Sequence, residues 1–210
     1  MIDRAPAGSQ SVASTLSALA DAYVRTLAYH VRTKDDPTVT PAAREVRSAR
    51  TARAALAPAL GELKKARSIA QEGKASLLRD VAKVFDFSGD FAATMLAAEI
   101  RSHFAALPSN ERLAALAAAE AAFDTVTLRA IGAGPAYLTG LPPAMHDHAR
   151  NALIDLFPNA KAAREAARGL EEQEKFADLF VESILQSTAD LIDFLAADSF
   201  EAAAQDAVAA

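Results

Sequence analysis

Apolar residues recur along this chain at spacings of three and four, and no stretch alternates with the period of two that a half-buried strand requires. The first stripe is Val12, Leu16, Leu19, Tyr23, Leu27 and Val31, which predicts a helix capped by Ser9 or Ser11 and running to about Arg32. Residues 34–39 read as a turn, and Thr40-Pro41 as the cap and first position of a second helix. Within it Pro58 predicts a kink or restart, and Gly73 a stop. A short helix over 75–85 follows. Ser88 is then placed to cap a helix in which Phe91, Met95, Ile100 and Phe104 face inward. Residues 110–122 form the next helical segment, and 123–131 continue its pattern. Two glycine–proline breaks, at 132–135 and 140–143, flank a short turn. Helices over 144–157 and from Asn159 onward complete the series, with a bend at Gly169 and a last short helix opened by Asp198 and Glu201 at capping-box spacing.

The widest apolar arc belongs to residues 176–195. On a wheel of about 100° per residue, Phe176, Phe180, Val181, Ile184, Leu191, Phe194 and Leu195 crowd one side. Leu179, Leu185 and Ile192 widen it, while Asp178, Glu182, Gln186 and Asp193 hold the narrow remainder. Such an arc needs more than one covering neighbour, so this helix is expected as the central column of an all-α multi-helix bundle.

Composition supports the helical reading. Alanine supplies 53 of 210 residues, favours helix and lets helices approach closely. With no cysteine, thiolate catalysis, iron–sulfur clusters and zinc knuckles are excluded. The opening residues lack a basic end followed by an apolar core, and no window approaches the ~18–20 apolar residues of a membrane span, so a cytoplasmic protein is expected. The net charge of −5 is unevenly spread. Residues 44–83 carry ten Lys and Arg against four acids, whereas residues 171–210 carry ten acids against Lys175 alone. The expected organisation is a basic N-terminal helical arm, 1–87, ahead of a compact helical bundle, 88–210, or the two within a single domain.

Candidate chemistry is sparse. His146 and His148 stand two apart, about 200° from one another on a helix, which is wrong for shared metal ligation; they read as a solvated helix start. Gly132-Ala133-Gly134-Pro135 lacks the preceding strand of a dinucleotide loop and reads as a connector. Glu99 and His103 share a helix face without a visible nucleophile. No catalytic, cofactor or metal residue is assigned, and no cofactor is expected. Arg44, Arg47, Arg50 and Arg53 are the sharper feature. In steps of three they sweep about half the helix circumference, as a phosphate-contacting surface or as the partner of acids. No aromatic residue lies between them for base stacking, and the overall charge opposes nucleic acid. The acidic face of Asp178, Glu182 and Asp193 is either the water-facing side of the column or the surface that meets the arginines, within one chain or between subunits. Leu138 and Leu141, on the connector between the two breaks, either plug the end of the bundle or offer a partner an apolar contact.

One segment carries a resemblance. Ile100-Arg101-x-His103, Leu107-Pro108-x-x-Glu111-Arg112-Leu113, Ala130-Ile131 and Gly134-Pro135-x-x-Leu138-Thr139-Gly140-Leu141 look like a group of uncharacterised helical proteins of tailed-phage and prophage gene clusters. The likeness covers about a quarter of the chain and implies a phage setting without an activity. The resulting expectation is a non-enzymatic structural or assembly protein, either in the host cytoplasm or retained in the virion, that self-associates or binds phage structural proteins. The alternative is a small regulatory binder of a host enzyme or a nucleic-acid complex, using the helix of Arg44 to Arg53.

Overall fold

The structure, a computed structural model, describes residues 9–209, with side chains for 11–205. The tail expected over residues 1–8 lies outside the described residues, as does the side chain of Ser9. The described chain is all-α: α1 Ser9–Thr33, α2 Pro41–Ala82, α3 Phe91–Ala106, α4 Ser109–Ala121, α5 Thr125–Gly132, α6 Pro143–Asp155, α7 Pro158–Leu191 and α8 Phe194–Ala209. Two 3-10 turns, Lys83–Phe85 and Ala136–Leu138, join them. Among the described residues no helix is long and apolar enough to cross a membrane.

The described residues fall into two compact units, one formed by the chain up to Gly73 and again from Gly169, the other by Lys74–Arg168. The division suggested by sequence, between 87 and 88, lies elsewhere because charge changes there while packing does not. The two glycines expected to stop or bend helices, Gly73 and Gly169, stand at the limits of the units. Neither ends its helix: α2 and α7 run through them, and α2 also runs through Pro58.

In the first unit α1 and α2 are joined by the short turn 34–40. The Arg44 guanidinium closes that turn by donating to the carbonyls of Lys34, Asp36 and Val39. Val12, Leu16 and Leu19 of α1 are buried as their spacing predicts, but the stripe continues through Ala22 and Thr26, leaving Val31 exposed. α2 offers Ala49, Ala52, Leu56 and Leu63, and α7 offers Leu170, Ala177 and Ile184. Burial of a leucine such as Leu19 or Leu170 is worth about 2 kcal/mol.

The expected central column is not one. The helix of residues 176–195 breaks after Leu191, where Asp193 caps α8 by accepting from the Ala196 amide. Its buried seam is a single face of Ala177, Ile184 and Thr188. Phe176, Leu179, Leu185, Leu191 and Leu195 are exposed, Leu179 to 67% and Leu195 to 82%. Leu179 lies about 200° round the helix from Ala177, so a neighbour covering the alanine leaves it in water.

The second unit is built on α5, a helix of eight residues whose Leu128, Ala130, Ile131 and Gly132 are all buried. α3, α4 and α6 pack around it, with Phe85, Phe104, Leu116, Leu141 and Leu153 filling the core. Three details depart from expectation. α3 is capped by Asp90, whose carboxylate accepts from the Ala93 amide at 2.9 Å, and not by Ser88, which is bonded to Asp86. Phe91 and Met95 face solvent; the buried side of α3 is Ala97 and Phe104. The segment 110–131 breaks at Phe123, which adopts φ 52° so that the Asp124 amide reaches the Ala119 carbonyl at 2.9 Å. That is a Schellman closure with phenylalanine in the left-handed position that usually holds glycine.

Candidate functional site

Long basic side chains on α2 face the acids of α8. Arg50 meets Glu201 at 2.7 Å, and Arg53 grips Asp198 with both nitrogens, at 2.7 and 2.9 Å, while lying 5.3 Å from the centre of the Phe194 ring. The bonded guanidiniums hold both carboxyls below their ordinary pKa values, and the arginines are correspondingly raised. Arg44 is engaged by the turn carbonyls, and Arg47 is exposed in a shallow cleft of ≈ 620 Å³ beside Arg50 and Glu201. Three of the four arginines are therefore occupied within the chain, by α8 and by the α1–α2 turn. The acids named from sequence have other positions. Asp178 pairs with Arg67 at 2.7 Å, Asp193 caps α8, and Glu182 is exposed.

Histidine chemistry takes a different form from the one expected. His146 is not a solvated residue: only 7% exposed, it points its Nε2 at the carbonyls of Ile131 and Gly134, 3.1 and 2.8 Å away. An α-helix leaves its last carbonyls without partners, and the imidazole N–H supplies one for the end of α5. His148, two residues on, faces Glu120 at 3.2 Å. His103 is exposed with its ring edge to Phe104, and Glu99 is exposed. Among the described residues no group of three or more His, Asp or Glu is arranged to hold a metal ion.

Arginines complete the same task. Arg101 donates to the Ala130 carbonyl at 3.0 Å, and Arg150 donates to that of Gly132 while lying 4.2 Å from the Phe85 ring centre. Arg129 reaches the Asp86 carbonyl and lies over Phe87. Arg112 closes the end of α3, donating to the carbonyls of Phe104 at 2.8 Å, Ala105 at 3.0 Å and Leu107 at 2.7 Å, and also to Gly140. Of the residues that carry the resemblance, Arg101, Leu107, Arg112, Ala130, Gly134 and Gly140 take part in these contacts. Leu141 is buried there, and Leu138 remains partly exposed beside Gly134. This use of arginine was overlooked at the sequence level. Its signal is that α3 ends at Ala106-Leu107-Pro108 with no glycine to turn the chain, so its carbonyls need a donor from elsewhere.

Each unit also leaves some large apolar side chains exposed. On α7, Phe176 stacks on Phe180 with ring centres 6.0 Å apart and planes 17° from parallel, and Phe176 is 60% exposed. In the second unit Phe91 is 80% exposed, beside a cleft of ≈ 200 Å³ lined by Phe87, Leu96, Val126 and Phe157. Neither feature positions reacting groups. Comparison with family models, with curated proteins and with solved structures gives no match to this chain.

Proposed function

We propose that this chain is a non-enzymatic helical assembly protein that binds other protein chains through uncovered apolar helix faces, in a tailed-phage particle or its morphogenesis. The observation that carries the reading is the exposed Phe176, stacked on the half-buried Phe180, with the exposed Leu179 beside it along α7. Leaving such a side chain exposed forgoes about 1.5–3 kcal/mol of burial, and contiguous apolar patches on soluble chains commonly mark contact surfaces. The phage setting is supported by the likeness of residues 99–150 alone. The regulatory binder acting through Arg44 to Arg53 is the weaker reading, since Arg44, Arg50 and Arg53 already hold carbonyls or carboxylates.

The test is light scattering of the purified chain together with mass spectrometry of purified particles from the native source. The expected result is an oligomer or a particle-associated species, with Phe176→Asp and Leu179→Asp releasing it while helicity is kept. A strict monomer at high concentration, with no chain in particles and no partner recovered, refutes the reading.

A further inference from the structure

α7 and α8 are parted by two residues, Ile192 and Asp193, and nothing in the local sequence requires the break. From Leu170 to Ala210 the chain has neither glycine nor proline, the usual causes of a kink. Helical bonds close on both sides of the joint, from the Ile192 amide to Thr188 and from the Ala197 amide to Asp193, each at 3.0 Å. What keeps it broken is tertiary. Ile192 and Ala197 would stand about 140° apart on an unbroken helix, yet both are buried in one cluster with Ala49 and Ala52 of α2. The joint is therefore a two-state element: its own sequence favours one straight helix, and its seat on α2 favours two.

The seat matches α8 as a unit. Phe194, Ala197, Asp198 and Glu201 recur at intervals of three and four, on one face of α8. On α2, Val46, Ala49, Arg50 and Arg53 repeat that spacing. Between the two faces run the Arg50–Glu201 and Arg53–Asp198 pairs, both at 2.7 Å, with the Arg53 guanidinium over the Phe194 ring. All of these contacts lie beyond Asp193, so an α8 from another chain makes them equally well. Straightening has a second effect. Leu185, Ile192 and Leu195 then share a face at intervals of seven and three, which gathers two leucines now 46% and 82% exposed. Two such helices crossing at a two-fold axis cover that stripe with its own copy.

We infer that α8 is exchanged between two copies of this chain, each α8 seated on the Ala49–Arg53 face of the other copy, with the α7–α8 joint straightened. The closed chain already shows what occupies that face; only the copy that supplies it changes. The inference rests on the assembly reading and gives it a mode of self-association that does not use Phe176.

The experiment is native mass spectrometry with sedimentation velocity of the full chain. A seat variant, Arg50→Glu with Arg53→Glu, and a helix variant, Asp198→Arg with Glu201→Arg, each set like charges between α8 and its own α2. None of the four side chains is buried, so circular dichroism should show the helices kept. Mixed, the two variants bring opposite charges together at both seats only by exchanging α8. A one-to-one dimer should form about 30-fold more tightly than either variant with itself, a little over twofold for each of four surface pairs. In the otherwise wild-type chain, Asp193→Ala removes the α8 cap that only the broken joint uses. Dimerisation should then tighten about 25-fold, roughly fivefold for each copy. A mixture that dimerises no better than its components overturns the exchange, as does an Asp193→Ala chain that dimerises no better than wild type. If wild type is oligomeric all the same, the assembly reading stands on another surface. That reading falls only when wild type is strictly monomeric, absent from particles and without a recovered partner.

Discussion

Replacing Arg112 by alanine should loosen the second unit, and the reason is countable. The guanidinium donates to four carbonyls, those of Phe104, Ala105, Leu107 and Gly140. Two of these bonds, to Ala105 and Gly140, are exposed, so water replaces the lost donor at little cost. The other two, to Phe104 at 2.8 Å and Leu107 at 2.7 Å, are partly buried and end a helix that has no other C-terminal cap from glycine. A hydrogen bond to a charged group is worth about 1.5–3 kcal/mol, and bonds sharing one donor group add less than their sum. The expected loss is therefore about 2–4 kcal/mol. Arg112→Lys should fall in between, because an ammonium keeps the charge and lacks the planar fork. Gly140 makes a second check: at φ 66° its Cβ would stand 2.7 Å from the Arg112 Nη1, so Gly140→Ala should cost less in the Arg112→Ala background than in wild type. Urea denaturation followed by circular dichroism gives the stability. Hydrogen exchange at residues 104–108 and 138–141 locates the change. A loss below about 0.5 kcal/mol in Arg112→Ala, or exchange that rises elsewhere and not at those segments, refutes the reasoning.

Two further outcomes follow from named groups. Phe123→Gly should stabilise the second unit by about 1 kcal/mol in thermal melts, since the left-handed φ of 52° is free for glycine and strained for phenylalanine, whose ring is largely exposed. A destabilised variant means that the ring is held by contacts stronger than its strain. The carboxyls of Asp86, Asp124, Asp198 and Glu201 are all lowered, the first by Ser88, the second by Thr127, the last two by Arg53 and Arg50. Their folded values lie below their unfolded ones, so the stability they contribute is complete above the unfolded carboxylate range near pH 4. It drains away as pH falls through the lowered values. Midpoints in urea should be flat from about pH 5 to 7 and drop below about pH 4; a drop that begins near pH 6 would point to histidine instead.

Much of the architecture was legible from the chain, because a helix records its period locally. Spacings of three and four, abundant alanine and caps such as Thr40-Pro41 depend on neighbours within one or two turns, and most of the helical segments follow from them. The small breaks that escaped notice have a common cause. Nothing in Phe123 advertises a left-handed turn, and Asp193 resembles any acid on a helix until the amide of Ala196 is seen facing it.

What a helix covers is decided elsewhere. Residues 176–195 are apolar round most of the wheel, yet the neighbours reach only the face of Ala177, Ile184 and Thr188, and no local pattern states how many neighbours there will be. The same holds for donors and acceptors. Arg53 and Asp198 are 145 residues apart, and His146 stands 15 residues beyond the α5 carbonyl of Ile131, and only the packed chain brings each pair within 3 Å or so. Sequence alone determined that this protein is helical and where most of its helices run. The tertiary structure decided which greasy faces stay bare and which charges are already engaged, because burial and pairing are properties of what lies opposite.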